Sequence, residues 1–248
     1  MARPFVIRDT VFDISMSNHN LARLQESIGY QFSDKKLLEQ AVTHRSYLNE
    51  NPTWPTGHNE RLEFLGDAVL ELVVTEYLYE HYPQTPEGEM TNWRAALVNA
   101  ITLSAITGEF DLNAYLFLSR GEARDMGRAR QYILANAMES LIGAMYLDGG
   151  YEPCKVFIGR FILTKLPDII SKKLYRDPKS LLQEEAQERI GVTPIYRVME
   201  EWGPDHARQF KIGVYLGKEL AGEGQGQSKQ DAQQAAAEDA LKNKEWNK

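Results

Sequence analysis

Segment 59–71 alternates apolar and acidic residues at the spacing of a helix. Its apolar positions recur every three or four residues, at Leu62, Leu65 and Val69. Its carboxylates follow a similar interval, at Glu60, Glu63 and Asp67. Because side chains three, four and seven residues apart return to nearly the same side of a helix, the pattern predicts a helix with all three carboxylates on one face.

The pattern changes after Pro178. Helical spacing is found in 179–187 and 228–241, and strand-like segments lie between them, at 195–199, 210–216 and near 219–223. The predicted order is therefore helix, strand, strand, strand, helix. The glycine-rich stretch 222–229 matches no phosphate-binding loop or dinucleotide fingerprint, and it predicts a turn that leads into the last helix.

The composition is that of a water-soluble protein with a sizeable helical core and a second, small domain: 248 residues, 43% hydrophobic and 25% charged. A single cysteine, Cys154, excludes an internal disulfide and a cysteine-based zinc site. No apolar run is long enough to span a membrane, and residues 1–18 lack the apolar centre of a secretory signal. We therefore expect a cytoplasmic protein with no membrane partner.

The charge balance is acidic, with 28 basic and 35 acidic residues and a net charge of −7. From Pro178 onward there are 10 basic and 12 acidic residues, which gives a net charge of −2. A nucleic-acid-binding protein is usually basic, so any positive surface on this chain must be local.

Carboxylates gathered on one helix face repel each other unless a cation joins them. A hard divalent ion such as Mg²⁺, bound through carboxylates, water and phosphate oxygens, is the usual partner. On spacing alone, a solvated acidic face is the commoner outcome for such a helix.

The run Asn59–Leu70 resembles the signature segment of the ribonuclease III family nearly residue for residue. Thr43–Tyr47, Pro86–Thr91 and Ile133–Asp148 resemble further segments of the same family. The resemblance implies an all-α endonuclease domain that requires Mg²⁺, with Mn²⁺ as a substitute, and cleaves double-stranded RNA to 5′-phosphate and 3′-hydroxyl ends. Processing of ribosomal and messenger RNA is the role that it implies.

The resemblance also implies the site residues. By position, the metal ligands are Glu63, Asp67, Asn136 and Glu139, of which Asp67 and Glu139 are catalytic. Glu60 and Glu89 are accessory acids.

Asn136 departs from the family pattern, which has an aspartate at this position. An amide oxygen can coordinate Mg²⁺, but it brings no negative charge and accepts no proton. Three interpretations follow: a natural variant that still cleaves, a weakened or non-cleaving RNA-binding homologue, and a substitution introduced to trap a substrate. Retention of Glu63, Asp67 and Glu139 favours the first.

The C-terminal pattern resembles the double-stranded RNA-binding domain, a small α+β (α-β-β-β-α) fold that recognises A-form RNA mainly by shape. The implied RNA-binding residues form three patches: Ser180, Gln183, Glu184 and Gln187; His206; and Ser228, Lys229 and Gln230. Where the family commonly clusters lysines, this chain has Gln230 and Gln233 beside Lys229, which predicts weaker attraction to phosphate.

These observations divide the chain into an N-terminal extension (1–18), a catalytic domain (19–170), a linker (171–177) and an RNA-binding domain (178–248). A duplex has two strands and one cluster cuts one of them, so the resemblance implies a two-fold homodimer. Phe64, close to the carboxylate face, is a candidate interface residue, and a plain core residue is the alternative.

Overall fold

The computed structural model describes residues 14–124, 127–204 and 208–246. The chain forms two compact units, Met1–Lys165 and Leu166–Lys248. The first is helical and the second contains a three-stranded antiparallel sheet between helices. The predicted fold class, an all-α domain followed by a small α+β domain, is confirmed.

The helices of the first unit are α1 Ile14–Ile28, α2 Lys35–Ala41, α3 Arg45–Glu50, α4 Glu60–His81, α5 Glu87–Val98, α6 Ala100–Ile106, α7 Arg120–Arg124, α8 Arg128–Gly149 and α9 Tyr151–Phe161. Short 3-10 turns lie at Thr107–Phe110, Leu112–Tyr115 and Leu163–Lys165. The acidic run predicted to be helical forms the first half of α4.

The longest helices of the first unit, α4 and α8, have 22 residues each and form its centre. Their apolar side chains are buried against each other and against the surrounding helices, among them Leu70 and Val74 of α4 and Met138, Leu141 and Ile142 of α8. Such burial of Leu, Ile and Met side chains contributes about 1.5–3 kcal/mol each, so this pair of helices dominates the stability of the unit.

The backbones of α4 and α8 touch at two glycines. A Cβ atom added to Gly66 would lie 1.7 Å from the carbonyl oxygen of Glu139, and one added to Gly143 would lie 2.2 Å from that of Leu62. Any side chain at either position would separate the helices. Glycine is therefore required here for close approach of two helices.

The second unit contains α10 Leu166–Ser171, α11 Pro178–Ile190, β1 Ile195–Trp202, β2 Gln209–Leu216, β3 Glu219–Gly226 and α12 Lys229–Asn243. The strand order is β1-β2-β3, with Ile195 opposite Tyr215 and Leu216 opposite Glu219. Asp177 caps α11 by accepting a bond from the amide of Ser180, and Ser228 caps α12 through the amide of Asp231.

The glycine-rich stretch is strand rather than turn up to Gly226, so the predicted turn at 222–229 was wrong for most of its length. The cause is packing. Cβ atoms added to Gly222, Gly224 and Gly226 would meet the backbone of α12 at 2.4, 2.2 and 2.6 Å. Opposite them α12 presents a stripe of small residues, Ala232, Ala236 and Ala240, so sheet and helix approach at backbone distance.

We expect Gly66→Ala to lower the free energy of unfolding of the first unit by about 1–3 kcal/mol or more, because the added methyl group overlaps a backbone carbonyl. Urea-induced unfolding followed by circular dichroism measures this loss. Gly88→Ala is the matched control, since nothing lies within 4 Å of that Cβ position in α5, and alanine favours a helix. Equal stability of the Gly66→Ala variant and the unaltered chain would contradict the close contact.

Candidate functional site

The glycine contact brings four oxygen-bearing side chains together beside the crossing of α4 and α8. Glu63 and Asp67 come from α4, and Asn136 and Glu139 come from α8. The side-chain amide of Asn136 lies close enough to the Glu63 carboxylate to lower its pKa. The charges of Asp67 and Glu63 act on Glu139, so the four residues implied as ligands lie in one neighbourhood.

A buried polar network fixes the start of α4 against α8. Asn59, only 3% exposed, receives a bond from Ser140 Oγ at its carbonyl oxygen (3.2 Å) and donates its backbone N–H to Thr43 (2.9 Å). Ser140 Oγ also bonds to the carbonyl oxygen of Asn136 at 2.7 Å. Asn59 precedes Glu60 and Ser140 follows Glu139 in the sequence. The network therefore fixes the backbone from which those two carboxylates project.

Sequence reasoning missed this network and the two glycines. Asn59 and Gly66 stand inside the signature run, and Gly143 lies four residues after Glu139. The available signal was the spacing of small residues on two long helices, which indicates a close crossing but does not say which helices cross.

Burial and like charge shape the site's electrostatics. Burial, together with the neighbouring charges of Asp67 and Glu63, raises the pKa of Glu139 to about 8. Burial also raises the pKa of Glu63, as do Glu60 and Asp67, whereas the hydrogen bond from Asn136 lowers it. Without an ion, Glu139 and Glu63 therefore keep their protons to a higher pH than isolated carboxyl groups do.

The donors suit a hard cation because all four offer carboxylate or amide oxygen. Across residues 14–124, 127–204 and 208–246, no three His, Cys, Asp or Glu side chains are grouped so that they could hold an ion as they stand. An ion at this site would need the amide oxygen of Asn136, a change of side-chain rotamer, or both. The ligand atoms of these residues suit a divalent cation, but their side chains are not already arranged as a coordination site.

The two accessory acids are placed differently. Glu60, with its side chain 46% exposed, lies 3.3 Å from Arg45 and 3.7 Å from His58, and its charge acts on Glu63. Glu89 is half-buried in the first turn of α5 and is not among the charges that shift the pKa of Glu63 or Glu139. The structure thus brings Glu60 to the edge of the cluster and leaves Glu89 on a neighbouring helix.

In the second unit, the first implied RNA-binding patch lies on exposed positions of α11: Ser180, Gln183, Glu184 and Gln187. Glu184 forms an ion pair with Arg176 at 2.9 Å. The third patch lies at the start of α12, where Ser228 is the N-cap and Lys229 and Gln230 are exposed. His206 lies outside the residues that the structure describes.

A family profile described as Ribonuclease-III-like matches residues 34–166, and one described as Double-stranded RNA binding motif matches residues 178–244. The chain is 42% identical over 225 residues to a protein named Ribonuclease 3 from Magnetococcus marinus, covering 89% of this chain and 92% of that protein. It is 43% identical over 220 residues to Ribonuclease 3 of Geobacter sulfurreducens, covering 88% of each.

Among solved structures, the nuclease domain of ribonuclease III from Campylobacter jejuni matches 60% of this chain and 99% of that chain, with a TM-score of 0.54 and 39% identity. That structure is described as showing flexibility in a region involved in dimer formation. Within the part of the chain that the structure describes, none of the helices has the length and apolar character needed to cross a membrane.

The raised pKa of Glu139 predicts that the ion-free site destabilises the folded protein more as the pH rises. The pKa of Glu139 is about 8 in the folded protein and near its ordinary 4.5 in the unfolded chain, so the folded state binds the extra proton and stability falls as pH rises between these values. In chelator, Glu139→Gln should match the unaltered chain near pH 4.5 and become steadily more stable than it toward pH 8.

Thermal unfolding in chelator across this pH range measures the difference. Glu71→Gln, which removes a charge at an exposed position of the same helix, is the control and should show no growing advantage. A constant offset between the Glu139→Gln variant and the unaltered chain at every pH would contradict the raised pKa.

Proposed function

The chain belongs to the ribonuclease III family and is an endoribonuclease of that type, and we propose that it uses Mg²⁺ to cleave double-stranded RNA to 5′-phosphate and 3′-hydroxyl ends. The observation that carries the proposal is the cluster of Glu63, Asp67, Asn136 and Glu139 at the crossing of α4 and α8. Precursors of ribosomal and messenger RNA in the cytoplasm are the proposed substrates, by likeness to the family.

We assign the four residues of the cluster as metal ligands, with Asp67 and Glu139 as the catalytic residues. A bound divalent cation lowers the pKa of a water molecule and neutralises charge on the phosphate, and Mn²⁺ could replace Mg²⁺ in both roles. Asp67 is exposed and faces solvent, where a substrate phosphate can approach. Glu139, more deeply placed, is held by the backbone contact at Gly66, and Glu60 acts as an outer acid.

The second module supports the choice of duplex RNA. Exposed polar side chains along α11 suit 2′-hydroxyl groups in a minor groove, and Lys229 at the N-terminus of α12 suits a phosphate. Together with Ser228, Gln230 and His206, these are the proposed RNA-binding residues.

A second candidate function rests on Asn136. Its amide lies beside Glu63 and carries no charge, where an aspartate would add a carboxylate, and ion affinity should fall accordingly. If the loss is large, the chain is a double-stranded RNA-binding protein that cleaves weakly or not at all. Retention of three carboxylates in the cluster favours the nuclease.

The test is incubation of the purified chain with an end-labelled RNA duplex, with Mg²⁺ or with chelator, followed on gels for cleavage and for binding. We expect cleavage only with Mg²⁺. Glu139→Gln should reduce it by at least about 10²–10⁴-fold while duplex affinity stays unchanged, because the residue acts on the reacting phosphate rather than on the helix of the RNA.

Equal loss of binding and cleavage in Glu139→Gln would contradict its assigned role. Asn136→Asp is the companion variant, expected to lower the Mg²⁺ concentration at half-maximal rate. Binding without cleavage by the unaltered chain, with cleavage gained in Asn136→Asp, would establish the second candidate function instead.

We also propose that two copies of the chain pair through Phe64. Its side chain is 83% exposed, so the alternative of a plain core residue is wrong for the single chain. A groove beside it is lined by Arg61, Leu65 and Leu147, so each copy offers both a protruding ring and a surface to receive one. Mutual contacts of this kind are what a two-fold interface requires.

Phe64→Ser should raise the dissociation constant of the dimer at least about tenfold, because a large exposed aromatic ring is a typical anchor of an interface. Light scattering over a concentration series measures this constant. Tyr79→Ser is the control, since that side chain is 76% exposed at the other end of α4. A chain that is monomeric before substitution, or a dimer unaffected by Phe64→Ser, would refute the proposal.

A further inference from the structure

Two hydrogen bonds join the N-terminal turns of α11 and α12. Lys179 Nζ donates to Gln233 Oε1 at 2.7 Å, and Gln234 Nε2 donates to Asp177 Oδ1 at 3.2 Å. The ammonium group of a lysine from α11 is thereby held against the second turn of α12. At this point of α12 the chain has Gln233, where the double-stranded RNA-binding domains that it resembles commonly have a lysine.

Ion pairs determine which basic side chains of this unit remain available to bind an anion. Among the described residues from Pro178 onward, four basic side chains are paired with carboxylates within 4.0 Å: Arg189, Arg208, Lys211 and Lys244. Of the residues described in this region, neither Lys179 nor Lys229 has a carboxylate at that distance. Both belong to the first turn of a helix, where the backbone amides also favour an anion.

Nearby carboxylates keep the positive charge at this end small. Asp177 caps α11 and is occupied by bonds from Ser180 and Gln234, and Asp231 lies in the first turn of α12. In a region of 10 basic and 12 acidic residues, each unpaired lysine at this end therefore accounts for a large share of the attraction to a polyanion.

We propose that Lys179 is a further phosphate-contacting residue for double-stranded RNA, which supplies from α11 the second cation of the patch formed by Lys229 on α12. The inference rests on the proposed function of the unit. Lys179 reaches the α12 patch because Gln233, an uncharged acceptor, takes one of the three N–H donors of the ammonium group and leaves two. The patch thus has two cations although its own helix supplies one.

A purely structural role is the competing interpretation. Lys179 Nζ also lies 5.2 Å from the centroid of the Tyr196 ring, so its side chain helps to pack α11 against the sheet. Charge and packing are separable, because a contact with phosphate changes the dependence of binding on salt, whereas packing changes affinity equally at every salt concentration.

The experiment measures affinity of the full chain for a blunt RNA duplex in chelator, where no cleavage competes, over a series of salt concentrations. Lys179→Met keeps the alkyl stem over Tyr196 and removes the charge. We expect it to flatten the slope of log affinity against log salt by about one. The affinity advantage of the unaltered chain over this variant should then shrink about three- to fourfold between about 50 and 200 mM salt.

Three matched variants complete the design. Lys179→Arg, which keeps the charge, should restore the slope. Gln233→Met, which removes only the acceptor, should leave the slope unchanged. Lys242→Met removes an exposed cation about 20 Å further along α12 and should also leave it unchanged. Thermal unfolding of each variant checks that the unit remains folded.

An unchanged slope in Lys179→Met would overturn the inference, as would equal losses of affinity in Lys179→Met and Gln233→Met at every salt concentration. Either result would leave the proposed function intact, provided that the unaltered chain binds the duplex. Failure of the unaltered chain to bind would overturn both.

Discussion

Direct backbone contact between α4 and α8 is the constraint on which the nuclease unit depends. With hydrogen atoms alone at Gly66 and Gly143, two 22-residue helices approach until carbonyl groups of one meet the glycines of the other. The same contact determines how far the carboxylates of the two helices are separated. Packing and chemistry are therefore coupled. The close contact of the two helices that buries their apolar side chains also forces their carboxylates together.

The sequence was sufficient to predict the acidic helix, the order of elements in the second unit and the family. The first two depend on local periodicity and the third on the resemblance of short segments, and neither kind of signal requires knowledge of tertiary contacts. The strand at Gly222–Gly226 was misread because glycine marks both turns and close approaches, and only the facing alanines of α12 distinguish them. Asn59 and Ser140 were missed for a similar reason, since their bonds link residues 81 positions apart.

The two units use charge in opposite ways. In the first, like charges are concentrated and partly buried, so an ion or a proton is needed to neutralise them. In the second, many of the described charges are paired across the surface, and the cations without a carboxylate partner include two at helix N-termini. An acidic chain can bind a polyanion under these conditions, because a phosphate responds to the nearest groups more than to the net charge when salt screens the rest.

The amide of Asn136 lies beside the Glu63 carboxylate and lowers its pKa, which affects the protein when no ion is bound. An aspartate at this position would add a further carboxylate to the cluster, whereas the amide adds no charge. If the cluster binds Mg²⁺ as proposed, asparagine at position 136 lowers the affinity for the ion and also lessens the charge repulsion in the ion-free protein.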